Sequence, residues 1–212
     1  MGTGMIALVK RMAAVLIGVV MAHAAFGGPA RADQGAEAFV RDILKEANVV
    51  FEAKTKDERF AGIAALVDKY VDMPRVSMFV LGQYARQITG EQKAEYFPLF
   101  RRYAKLVYQE ALDEYSGERL EVVNSVERTE RDIIVNTGVV GTKPGDKYDS
   151  VVVHWRVYRA ADGSMSIFDA GVDQVWLAVE QQSQFKSVIA NNGGGAKGID
   201  ALIADLRKRL DD

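Results

Sequence analysis

The spacing of apolar residues changes once along this chain, and that change limits the folds available to it. Between residues 36 and 115, apolar residues recur every three or four positions, which is typical of helices with one buried face. Between residues 120 and 172 they alternate, which is typical of strands. Further helical spacing follows from residue 175 onwards. Helices on both sides of a run of strands predict an α+β fold with one sheet.

The strands are expected to form an antiparallel meander of four. Three β-rich runs cover 120–126, 132–140 and 149–159, and a turn at Ala161, Asp162 and Gly163 leads into a fourth over 165–172. Alternation within the third run places one set of apolar side chains on a common face: Val151, Val153, Trp155 and Val157.

Short signals predict where helices begin. Asp72 ahead of Pro74 is typical of an N-cap followed by an early-helix proline. Thr89 and Gln92 match a capping box, which would open the longest helix, over 91–115. This helix carries a wide aromatic stripe. Residues 191–198 are glycine-rich; they match a dinucleotide-binding spacing but lack the strand before it, so we interpret them as a linker.

The first 32 residues resemble a secretory signal peptide. Two basic residues precede an apolar run over 12–26, and a small-residue triplet ends at Ala32. The run of about 15 residues is short for a bilayer span, which needs roughly 20. We expect cleavage near Ala32, with residues 33–212 as a single domain outside the cytoplasm. The alternatives are a cut near Ala24 or Ala25, and retention as an N-terminal anchor.

Composition argues against several chemistries. The chain has no cysteine, and His154 is the one histidine outside the signal peptide, so neither a disulfide nor an ordinary zinc site is expected. A catalytic triad would depend on His154, whose mid-strand position favours a structural role. Three basic residues leave with the signal peptide, so 24 basic and 29 acidic residues remain and the net charge changes from −2 to −5. This charge argues against nucleic acid as a partner.

Several landmarks occur together in an order that is similar to one known family. They are the export signal, the 67–71 run with Asp72, Leu81 with Gly82, the group Thr89, Glu91 and Gln92, the segment 115–118, the segment 168–172, and Gln184, Phe185 and Ile189. With these landmarks the chain resembles the MlaC family, also called the toluene-tolerance auxiliary proteins, which includes the hopanoid-associated HpnM branch. The resemblance covers roughly residues 36–210.

The resemblance implies a noncatalytic lipid carrier of the periplasm without a cofactor. Its fold would be a curved sheet wrapped by helices around an apolar lipid cavity, and it would act as a monomer. It would carry a phospholipid between an outer-membrane lipoprotein complex and an inner-membrane ABC transporter complex. A hopanoid carrier is one alternative. The others are an interaction module with a closed core and an enzyme that uses His154 or a carboxylate pair.

On this interpretation, twelve side chains are expected to line the cavity. They are Phe79, Tyr84, Phe97, Phe100, Tyr103, Val107, Val153, Trp155, Val157, Ile167, Val172 and Trp176.

Overall fold

The computed structural model describes the following parts of the chain: residues 32–113, 119–143, 145, 148, 150–172 and 175–211. The predicted signal peptide, apart from Ala32, lies outside the described residues, as does the predicted end of the longest helix at 114–115. The described helices are α1 (Gln34–Phe51), α2 (Lys56–Tyr70), α3 (Met73–Val80), α4 (Gly90–Asp113), α5 (Leu177–Asn191) and α6 (Gly195–Asp211), with a short 3₁₀ helix at Gly82–Arg86. None of them is long and apolar enough to cross a membrane.

The sheet confirms the predicted antiparallel meander and adds one strand to it. Its order is that of the sequence: β1 (Arg119–Thr129), β2 (Asp132–Val140), β3 (Val152–Arg159), β4 (Met165–Val172) and β5 (Val175–Trp176).

The fifth strand corrects the prediction of four strands. Val175 and Trp176, expected to begin a helix, pair instead with Val172 and Gly171. Gly171 makes this possible: a Cβ there would lie 2.8 Å from the Val175 carbonyl oxygen and 3.1 Å from Trp176 Cδ2. Because Gly171 has no side chain, the indole ring of Trp176 can lie against its backbone. Val175 and Trp176, both β-prone residues, then extend the sheet before α5 begins.

One face of the sheet packs against α1. The strand register places four buried side chains on this face, and they meet the apolar stripe of α1. We call this cluster the sheet core; its members are Ala36, Val40, Ile43, Leu44, Ile133, Val135, Val157 and Ile167.

A second apolar cluster, the helical core, lies among α2 to α6. Its largest fully buried side chains include Tyr96, Tyr103 and Phe185. The two cores are separate clusters, and Val71 is a partly buried residue that packs against both. The backbone makes the same link, because the Asp72 N–H donates to the Ile167 carbonyl at 3.0 Å. The described part of the molecule thus has two cores with a boundary between them.

The predicted helix starts are confirmed. Asp72 caps α3 by accepting from the Arg75 N–H at 3.0 Å. Thr89 and Gln92 form both hydrogen bonds of a capping box, at 3.1 and 3.2 Å. The Gln92 amide also donates to Asp200 Oδ1 at 2.6 Å, which ties α4 to α6.

The glycine-rich linker prediction is wrong in extent, because α6 begins inside it at Gly195. A Cβ on Gly198 would lie only 2.3 Å from the Ile189 carbonyl oxygen. Gly198 therefore lets the start of α6 lie directly against the end of α5, and its lack of a side chain serves packing rather than flexibility.

Replacing Tyr96 by phenylalanine should lower the free energy of unfolding by about 1–2 kcal/mol, because a buried carbonyl loses its donor. The Tyr96 hydroxyl donates to the Ser77 carbonyl at 2.9 Å, and both residues are buried. Urea denaturation measures the change. Tyr158→Phe is the control: its ring stacks under the Arg75 guanidinium at 3.5 Å and keeps that contact. Equal stability of both variants would contradict the expectation.

Candidate functional site

One end of the sheet carries apolar side chains that are only half-buried. They lie on the same face as the sheet core, but at the opposite end of the strands from Ile167. Whereas Val157 is 0% and Ile167 4% exposed beneath α1, the side chains at this end keep part of their surface accessible. We call this set the open apolar surface; its members are Leu120, Val122, Val139, Val153, Trp155 and Val172.

The polar groups within the open apolar surface bond to one another. Trp155 Nε1 donates to Thr137 Oγ1 at 3.0 Å, and the Thr137 hydroxyl donates to the Val153 carbonyl at 3.1 Å. Because the one polar atom of the indole is satisfied within the sheet, Trp155 presents mainly its apolar ring. The surface is therefore suited to hydrocarbon rather than to a polar ligand.

The second half of α4 also carries apolar side chains that are only half-buried, two of which, Val107 and Tyr108, pack against the helical core. Leu106, Val107 and Tyr108 are half-buried. Helix α4 ends at Asp113 and β1 begins at Arg119, so the two ends are at most about 21 Å apart. The end of α4 therefore lies within that distance of Arg119, which precedes Leu120 of the open apolar surface.

A recess of about 830 Å³ lies at the other end of the sheet and has a different character. Its walls include Asp33, Glu127, Glu130, Arg131 and Arg159. Within it, Arg159 forms an ion pair with Asp33 and donates to the Glu130 carbonyl at 3.0 Å. Because its walls are charged, this recess does not suit acyl chains.

The twelve side chains predicted to line a cavity fall into three groups. Five lie together on the face of the sheet core and open apolar surface: Val153, Trp155, Val157, Ile167 and Val172. Six belong to or pack against the helical core: Phe79, Tyr84, Phe97, Phe100, Tyr103 and Val107. Trp176 lies on the other face, where its ring stacks on His154 at 5.7 Å between centroids. Cavity lining by these residues remains a prediction.

Three members of the open apolar surface were not among the predicted site residues: Leu120, Val122 and Val139. The register pairs Leu120 with Val139 and Val122 with Thr137. Their signal in the sequence is the alternation within the first two strands. It identifies a shared face but not the end of that face that α1 leaves half-buried.

His154 has the hydrogen-bonded structural position expected from its place in the strand. Its Nδ1 lies 2.6 Å from Asn136 Oδ1, and Asn136 in turn donates to Asn124 at 2.6 Å across the neighbouring strand. This chain of side-chain contacts lies on the polar face of the sheet, opposite the open apolar surface.

Asp169 is a buried carboxylate at the junction of β4 and α5. It is 1% exposed, and its Oδ1 accepts the N–H groups of Ala170 and Ala178, each at 2.8 Å. Trp176 at the start of α5 provides no side-chain cap, so Asp169 caps this helix from the neighbouring strand. Burial raises the pKa of Asp169 to about 6, against the opposing effects of both N–H groups and of Arg156.

Two side chains of α4 and one of α5 complete this junction. The Tyr103 hydroxyl donates to Gln181 Oε1 at 3.2 Å. Burial, and then the negative charge of Asp169, raise the pKa of the Tyr108 hydroxyl. We call Asp169, Gln181, Tyr103 and Tyr108 the polar junction. It is the point where the sheet, α4 and α5 meet.

Comparison with known proteins places these features in a family. A family model described as MlaC protein matches residues 38–208. Among solved structures, a phospholipid-binding protein from Ralstonia solanacearum, in complex with a phospholipid, is similar with a TM-score of 0.66. The two are 20% identical, and the match covers 83% of this chain and 97% of that one. The structural match shows a shared fold, and the family match over most of the sequence shows that this chain belongs to the MlaC family.

Proposed function

We propose that this protein is a noncatalytic lipid carrier that works in the periplasm. It takes up a phospholipid and shuttles it between an outer-membrane lipoprotein complex and an inner-membrane ABC transporter complex. The observation that carries the proposal is the open apolar surface, which continues the sheet core towards solvent. The similar structure from Ralstonia solanacearum, which is in complex with a phospholipid, supports it.

The physical cost of moving lipids through water explains why such a surface is useful. A diacyl lipid has about thirty methylene groups, and exposing each to water costs about 0.8 kcal/mol, so free transfer costs on the order of 20 kcal/mol. A carrier lowers this cost by replacing water with apolar side chains. Because valine, leucine and tryptophan contact hydrocarbon without directional bonds, the open apolar surface can hold chains of various shapes.

The placement of Trp176 bears on the hopanoid alternative. A bulky ring beside the lipid would favour a rigid polycyclic ligand, but Trp176 stacks on His154 on the opposite face. The ring therefore does not favour a hopanoid over a phospholipid. A closed interaction module is also less suitable, because a closed core would bury Val153, Trp155 and Val172 as fully as Val157.

Protein purified from a periplasmic extract should carry about one phospholipid per chain. Organic extraction followed by mass spectrometry identifies and counts the lipid. Stripped protein should then take up labelled phospholipid from vesicles, with an unrelated periplasmic protein of similar size as the control. Absence of both co-purified lipid and uptake would contradict the proposed function.

A further inference from the structure

The polar junction has a feature that packing against hydrocarbon does not require. It contains a buried acceptor atom and a buried donor atom without protein hydrogen-bond partners among the described residues: Asp169 Oδ2 and Gln181 Nε2. Leaving either group unpaired in an apolar interior costs free energy. One unpaired acceptor and one unpaired donor in the same region therefore point to a bound group that forms a hydrogen bond with each of them.

Neighbouring contacts fix the orientation of both atoms. Asp169 Oδ1 already accepts from Ala170 and Ala178, which leaves Oδ2 as the remaining acceptor. Gln181 Oε1 accepts from the Tyr103 hydroxyl, which turns the amide so that Nε2 faces away from Tyr103. The acceptor and the donor are thus held in place before any ligand arrives.

The two atoms belong to one region of the structure. Ala178, which bonds to Asp169, and Gln181 are three residues apart on α5, so they lie one above the other on the same helix face. Tyr103 and Tyr108 of α4 border the same region. The Tyr103 hydroxyl donates to Gln181, and the negative charge of Asp169 contributes to the raised pKa of Tyr108. Asp169 lies on the opposite face of β4 from Val172, while Val172 pairs with Val175 of β5 at the edge of the sheet. The polar junction is therefore next to the β5 edge of the open apolar surface and not on its face.

We propose that the polar junction binds a hydroxyl group of the carried lipid, which donates to Asp169 Oδ2 and accepts from Gln181 Nε2. This inference rests on the proposed lipid-carrier function. A hydroxyl is the simplest group that donates and accepts through one oxygen. A phosphate or ester oxygen cannot donate to the carboxylate, and an ammonium cannot accept from the amide. A water molecule has the same chemistry and is the other source of this group.

Two lipids that differ in one hydroxyl distinguish these sources. The probes are 1-palmitoyl lysophosphatidylcholine, with a free hydroxyl on its glycerol, and the analogue in which that hydroxyl is methylated. The wild-type protein should bind the hydroxyl lipid roughly tenfold more tightly, because the methyl ether leaves Asp169 Oδ2 without a donor. Equilibrium dissociation constants from isothermal titration calorimetry at pH 7.5 give the ratio.

Variants test whether the polar junction causes the preference for the hydroxyl lipid. Asp169→Asn and Gln181→Met should each bring the ratio of the two affinities close to one. Gln182→Met is the matched control: it lies on the same helix and loses a bond to the Phe79 carbonyl, 2.7 Å in the wild type, but should keep the tenfold ratio. Equal binding of the two lipids by the wild type would overturn the inference and leave water as the occupant, while lipid carriage would stand. Binding of neither lipid would also overturn the inference, and a failure to take up labelled phospholipid from vesicles as well would overturn the proposed function.

Discussion

As pH rises, ionisation of Asp169 is expected to lower the free energy of unfolding of the wild type by about 3 kcal/mol, and Asp169→Asn is expected to abolish this loss. Burial raises the pKa of Asp169 from 3.8 to about 6 in the folded protein. Between these values the folded state therefore binds more protons than the unfolded state. The stabilising contribution of the Asp169 proton is complete below the lower value and is lost as pH rises through about 4 to 6.

Asparagine tests this because it keeps the cap and removes the charge. Its side-chain oxygen can still accept the N–H groups of Ala170 and Ala178. Urea denaturation at several pH values between 4 and 7.5 gives the difference between variant and wild type at each pH. As pH rises, the free energy of unfolding of the variant should increase relative to that of the wild type, with roughly half of the change between pH 5 and 7.

Other carboxyl groups change stability with pH in the opposite direction and in a lower pH range. Hydrogen bonds and ion pairs outweigh burial at Asp33 and Asp68 and lower their pKa, so their contributions are lost only as pH falls below about 4. Asp42→Asn, at an exposed position paired with Lys45, is the control and should run parallel to the wild type. Parallel curves for Asp169→Asn as well would show that this carboxyl does not couple to folding.

The features that could be predicted from the sequence are those with local causes. Asp72 and Thr89 act on N–H groups within three residues of themselves, so their capping roles follow from the sequence. The meander is equally local, because each strand pairs with the next one along the chain. Alternation alone then places Val153, Trp155 and Val157 on one face.

The features that escaped prediction depend on close approach between distant backbones. Strand β5 forms because the Trp176 ring lies on the bare backbone of Gly171, and α6 starts early because Gly198 touches the Ile189 carbonyl. A glycine in a sequence indicates freedom of the backbone. It does not show whether that freedom serves a turn or a contact.

Parts of the candidate functional site could likewise be predicted from the sequence, and other parts depend on contacts between distant elements. The sequence identified the apolar face of β3 and β4, but the position of α1 determines which end of that face stays half-buried. Aromatic residues of α4, such as Phe100 and Tyr103, have the composition of a cavity wall and lie in the helical core instead. Asp169 was not predicted as a site residue, because alternation places it with the polar residues of the outer face, and α5 is what buries it.

Placing a carboxylate on the open apolar surface tests whether lipid binds there. Val153→Asp should weaken phospholipid binding by roughly a hundredfold or more, because an acyl chain would have to cover a charged group. Val153 is half-buried beside Val172 in the sheet register, so the charge stays partly hydrated while the surface is empty. Lipid counted by mass spectrometry after purification, and uptake of labelled phospholipid from vesicles, measure the loss.

Val123→Asp is the matched control for this prediction. Val123 is a strand valine that is 66% exposed and lies over Gly138 on the other face of the sheet. Both substitutions remove a β-branched residue from a strand, so differences in strand propensity largely cancel. We expect Val123→Asp to bind phospholipid as the wild type does. If Val153→Asp is folded and also carries a full complement of lipid, the acyl chains lie elsewhere, and the boundary between the two cores becomes the better candidate.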